Sequence, residues 1–231
     1  MKKNAKRLRR ALTDNHVLAR RFDEPGFPLA ELELLQDWQR RRLAETYKDL
    51  ITRDRYRAAG DFFLVELYGG LHFRERDQQV ERVLPIMVRM LRDDMILALA
   101  EAFELQSLSL ALDIDMTFKL QESGWEGLDT SRYGELYRAC GRRVDRQKQV
   151  DTIRELGHDL NKLVRHRIVL WMIKTVRGPA RAAGFGLLQS FLEQGFTAFR
   201  IMGDGTEFIE TIFEKESEVM ERLFAGDENP F

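Results

Sequence analysis

Six residues in the stretch 55–91 form the chain's best set of side chains able to do chemistry: Arg57, Glu66, Tyr68, Arg76, Asp77 and Arg82. They flank Gly69-Gly70, a break between two apolar stripes of helical spacing, so the stretch reads as a helix–turn–helix hairpin. Three guanidinium groups beside two carboxylates and a phenol would make a polar pocket for an anion or a carboxylate-bearing ligand. A helical-class enzyme acting through Glu66, Arg76 and Asp77 is the catalytic version of the same idea. A plainer account uses the same residues. Arg76 hydrogen-bonds the open carbonyls of the preceding helix, Asp77 meets free N–H groups in the first turn of its own, and Glu66 pairs with Arg82 or Arg76 across the hairpin. Charge clusters more often shift each other's pKa values than do chemistry. The plainer account therefore leads, and no residue is assigned as catalytic.

Other chemistries are poorly supplied. Of the histidines, 16, 72, 158 and 166, only His158 stands in a Glu-x-x-His spacing, with Glu155. Di-iron bundles need two such motifs and two further glutamates. On a straight helix His158 and His166 would lie about 80° out of phase and about 12 Å apart along the axis, too far for one ion. No metal site and no cofactor are expected. No nucleophile elbow, zinc-protease helix motif or phosphate-binding loop is present. The single cysteine, Cys140, stands near Arg142 and Arg143, which would lower its thiol pKa if all three faced one side. A lone helical Cys is more often a small buried residue. Asp113-Ile114-Asp115 points two carboxylates to different sides of a helix and reads as solvated surface. Phe185, Phe191, Phe196 and Phe199, followed by Phe208, Phe213 and Phe224, would suit an apolar cavity for a lipid, quinone or polyketide-like ligand. Close-packed core is the simpler reading, since interiors fill to a density of about 0.75.

The elements that must position these groups are helices. Periodic segments repeat at 3.6 residues, and no alternating strand pattern or hairpin turn is convincing. Helices are predicted from about Pro28 to Thr52, over 55–68 with Asp54 as cap, and over 74–92 with a kink at Pro85. One or two more fill 94–121, with Ile96, Leu99, Phe103, Leu108 and Leu112 inward. A turn at 123–128 and an Asp129-Thr130-Ser131 cap lead into a helix over 131–140. Residues 142–176 form a long pattern that Gly157 is placed to interrupt, and 186–202 another. Asp204 to Glu207 has the spacing of a capping box ahead of a last helix over 205–224.

Composition narrows the function classes. Lys+Arg 37 against Asp+Glu 38 gives a net charge of −1, against a dedicated nucleic-acid binder. The charge is uneven: Lys2, Lys3, Lys6, Arg7, Arg9, Arg10, Arg20 and Arg21 stand against Asp14 alone in residues 1–21. Such an arm suits contact with nucleic acid, an acidic protein or an anionic membrane, or simply solvent. One cysteine excludes an internal disulfide and fits a reducing compartment. No secretory signal pattern is seen, and the longest strongly apolar run, Ile168 to Ile173, is too short for a bilayer.

The string FFLVELYG, Phe62 to Gly69, resembles the motif of the bacterial FFLEELY-motif proteins, a family of unknown function. Trp38–Leu50, Arg76–Met87 and Gly178–Gly203 are similar to the same family, so the likeness spans most of the chain from about residue 35. It implies a bacterial, cytoplasmic, helical protein and brings no activity with it. Where the motif has two adjacent glutamates this chain has Val65 and Glu66, so any chemistry needing the first carboxylate is lost here.

The expectation is an all-α, compact multi-helix bundle of about seven to nine helices without a sheet. A basic, partly ordered arm (1–26) would precede one helical domain (27–231). The expected function is a non-catalytic module binding a protein partner or a small apolar or anionic ligand. The helical-class enzyme and the basic-arm contact are the alternatives. No transmembrane segment is expected, nucleic acid is disfavoured, and a homo-oligomer is compatible.

Overall fold

A computed structural model describes residues 3–64, 91–166, 169, 171, 173–175, 177–178 and 186–231; side chains are described for all of these except 3, 187 and 188. Among the described residues there are nine α-helices, one 3₁₀ turn at Arg21–Asp23 and no strand. The chain is an all-α bundle, as the 3.6-residue periodicity predicts.

The helices are α1 (Lys3–Arg20), α2 (Leu29–Thr46), α3 (Lys48–Ile51), α4 (Asp54–Phe62), α5 (Asp93–Ser123), α6 (Thr130–Cys140), α7 (Arg143–Leu163), α8 (Gly186–Met202) and α9 (Thr206–Ala225). Local chemistry sets many of their ends. Pro28 precedes α2, where its missing N–H costs nothing. The Asp129 side chain caps α6 by accepting from the Arg132 N–H at 2.9 Å. Gly124 ends α5 in the left-handed region at φ 66°, where a side chain would be strained.

Three expectations change. The described part of the N-terminal arm is a regular helix. Leu8, Ala11 and Leu12 of α1 are buried against Ile96, Ala100 and Phe103 of α5. Arg7, one of the arm's basic residues, is occupied by Glu104 (2.7 Å) and Glu101 (3.2 Å). Gly157 does not break α7. It allows α9 to approach, since a Cβ there would lie 3.1 Å from Ile209. The capping box before α9 does not close. The helix starts at Thr206, one residue too late for it. Asp204 instead accepts from the Thr206 hydroxyl (2.7 Å) and N–H (3.1 Å), and these bonds, with help from Asn161, hold its carboxyl down at about 2. Glu207, freed from the cap, accepts from the Tyr56 hydroxyl at 2.6 Å.

α5 is the axis. It packs against α1, α2, α6 and α7. Among the described helices it is the one long and apolar enough to cross a membrane by length and composition, although no such segment is expected from the six-residue run at 168–173. Its apolar stretch tolerates isolated charges and so escapes a search for unbroken runs. Only 28 % of its most apolar window is buried, low for a helix surrounded by others.

Among the described residues, buried side chains form three clusters: α1 with α5; α2 with α5, α6 and α9; and α2, α3 and α4 with α8 and α9. A domain usually has one contiguous core. Here the clusters surround a cavity of about 410 Å³, and much of α5 faces it.

Candidate functional site

The cavity runs between α2, α4, α5, α7, α8 and α9, and most of its wall is apolar. One side is aromatic. Phe62 of α4 and Phe191 of α8 stand 5.3 Å apart by ring centroid, with Phe63, Phe196, Phe199 and Phe208 beside them. Gly195 permits this meeting of α4 and α8, because a Cβ at Gly195 would lie 2.7 Å from the Phe62 ring.

Polar side chains from α2, α5 and α7 line another side. α5 contributes Gln106, Ser109 and Asp113, which recur at i, i+3 and i+7 and so share one face of a helix. Asp113 accepts from Gln39 Nε2 at 3.1 Å through Oδ1 and from Gln36 Nε2 at 3.3 Å through Oδ2. Burial pushes its carboxyl above the usual carboxylate range, against the opposing pull of Arg146 and the two glutamines. α7 contributes Arg146, which is 7 % exposed and lies over the Tyr137 ring at 4.6 Å. Its guanidinium donates to Gln149 Oε1 at 3.1 Å and to the Met116 sulfur at 3.0 Å. Gln149 in turn donates to Ser109 at 2.7 Å.

A second polar group closes on itself. Arg42 donates twice to Glu216, at 2.5 and 3.0 Å, and Tyr47 donates to the same carboxylate at 2.7 Å. Burial opposes the charge on Arg42, but Glu216 prevails and raises its pKa above the ordinary arginine value.

Of the six residues predicted from sequence, Arg57 is described. It is exposed on α4 and donates to Asp54 Oδ1 at 2.8 Å, an i,i+3 surface pair away from the cavity wall. Glu66, Tyr68, Arg76, Asp77 and Arg82 lie outside the described residues, as does the Gly69-Gly70 break.

Other readings are corrected. Asp113 is not solvated surface; it faces the cavity, while Asp115 pairs with Arg142. Cys140, by contrast, follows the simpler reading of a part-buried residue packed against the core: burial, then Asp115, raises its thiol, and Arg142 is engaged by Asp115 and Asp145. His158 bonds Glu210 of α9 at 2.6 Å. Of the phenylalanines, Phe199 and Phe208 are buried in the core, as the simpler reading expects, and border the cavity together with Phe191 and Phe196; Phe185 lies outside the described residues.

A family model for a domain of unknown function, DUF8198, matches residues 20–230. The chain belongs to that family. The matched span takes in α2 through α9, and with them the polar side of the cavity and the Arg42–Glu216 pair, but stops short of nearly all of α1. No curated protein and no solved structure matches the chain. DUF8198 membership thus carries no activity to the site, and the chemistry must be argued from its geometry.

Proposed function

We propose that this DUF8198 protein is a non-catalytic binder of a small, largely apolar ligand, held in the cavity beside α5. The cavity carries the reading. About 410 Å³ falls in the range of small-molecule sites, roughly 300–1,000 Å³, and an apolar wall with a few convergent polar groups is their usual lining.

The bacterial origin, the cytoplasmic location and the membership among FFLEELY-motif proteins belong to this proposal too. They are supported by the string at Phe62–Gly69 and by the single cysteine.

Native mass spectrometry of the protein purified from its own host tests the binding. The expected result is a bound molecule that extracts into organic solvent. A ligand-free protein that also fails to bind the neutral dye Nile red saturably would overturn the reading.

A further inference from the structure

Among the described lining residues the formal charges cancel: Arg42 and Arg146 stand against Asp113 and Glu216. The charges of Arg42 and Glu216 are paired directly with each other, with the Arg42 Nε–H left as a buried donor. Those of Arg146 and Asp113 are not. The guanidinium is near enough for its charge to act on the carboxyl, yet neutral partners hold both groups: Gln149 and Met116 for Arg146, Gln39 and Gln36 for Asp113. A guanidinium has five N–H donors and a carboxylate about four acceptor positions. Each therefore keeps hydrogen-bonding capacity beyond these contacts, one as donor and the other as acceptor.

We propose that the ligand is an amphiphile whose uncharged head both accepts from Arg146 and donates to Asp113, an alcohol or hydroxy-ketone being the simplest class, with its apolar body against the aromatic wall of α4 and α8. The proposal rests on the ligand-binding reading above. A carboxylate head would satisfy Arg146 but set a second negative charge near Asp113. An ammonium head would do the reverse beside Arg146. Either brings a charge without a counter-charge into a mostly apolar enclosure, where an unpaired ion is expensive. A hydroxyl supplies one donor and accepts in return, and leaves the wall neutral.

The test is displacement of Nile red from the full chain by dodecanol, dodecanesulfonate and dodecylamine, which share a tail and differ in head charge. Dodecanol is expected to displace the dye at a concentration at least tenfold lower than either charged analogue. Asp113→Asn leaves Arg146 without its counter-charge and should swing the preference toward the sulfonate. Arg146→Gln should swing it toward the amine. A wild-type protein that prefers a charged head, or ranks the three alike, overturns the head-group assignment while leaving ligand binding intact. Absence of saturable binding by the dye and by all three amphiphiles defeats the binding reading itself. The wild-type ranking decides the matter even if a variant fails to fold.

Discussion

Gln39 of α2 and Asp113 of α5 meet across the cavity wall, amide nitrogen to carboxylate oxygen, at 3.1 Å. The contact makes a half-buried carboxyl tolerable without making it cheap. Burial raises the Asp113 pKa, so the folded state prefers the protonated form more strongly than the unfolded chain does. Stability is then fully present below the ordinary value of 3.8 and is lost as pH rises through the raised folded value. Asp113→Asn keeps the shape and removes the charge. It should stabilise the protein at pH 7 by about 1 kcal/mol, typical of relieving one functional compromise. That corresponds to roughly 2–4 °C in a chain of this size. Thermal melts should show the gap to wild type closing as pH falls toward 4. A variant that melts lower at pH 7 would mean that Arg146 depends on Asp113 more than burial penalises it.

That carboxyl also shows where sequence reasoning reached and where it stopped. The last helix is legible because a stripe from Phe208 to Phe224 and a stop at Gly226 agree, and the structure has them at Thr206–Ala225. Asp129 is legible as a cap because its bond is local. Asp113 is misread because two carboxylates on different sides of a helix read as solvated surface, whereas its side faces the cavity. Gln106, Ser109 and Asp113 at i, i+3 and i+7 are the better signal, a polar stripe down an otherwise apolar helix. Nothing in the chain says what faces that stripe, since the Gln36 and Gln39 that do come from a helix some seventy residues earlier. α1 is misread for a related reason. Its basic residues dominate its composition, while Leu8, Ala11 and Leu12 find their partner only when α5 is in place.

Arg42 and Glu216 predict a contrast between buried and exposed ion pairs. Their side chains are 11 % and 16 % exposed. Glu216→Ala strands a buried guanidinium and should cost about 3–5 kcal/mol. Asp37, paired with Arg40 at 2.5 Å, is 47 % exposed, and Asp37→Ala should cost less than about 1 kcal/mol. Urea denaturation of both variants checks the ranking. Equal losses would mean that Arg42 finds solvent once its partner is gone.

Gly60 sits inside α4 where propensity alone would favour alanine by about 1 kcal/mol. A Cβ there would lie 2.5 Å from Cγ2 and 2.7 Å from Cβ of Ile51, a β-branched side chain with little freedom to yield. Gly60→Ala should therefore destabilise, by about 1–3 kcal/mol. Adding Ile51→Ala should remove the clash, so that the double variant loses less than the two single losses summed. Additive losses in equilibrium unfolding would show that α3 and α4 separate freely at this point.

Ala100 and Ala102, two residues apart on α5, differ in what they face. Ala100 is fully buried in the α1–α5 cluster, whereas Ala102 lines the cavity. Phenylalanine at position 100 has no room and must force apart α1 and α5, at a cost of about 1–3 kcal/mol or more. Phenylalanine at position 102 projects into existing space and covers apolar surface, at about 25 cal/mol per Å² in its favour. Ala102→Phe should keep or raise the melting temperature while weakening Nile red binding at least tenfold; Ala100→Phe should lower the melting temperature. The two readouts are separable: a filled cavity loses ligand and not fold. An Ala102→Phe protein that melts early would show that the space beside α5 is too narrow for a ring, and so too narrow for the ligand class argued above.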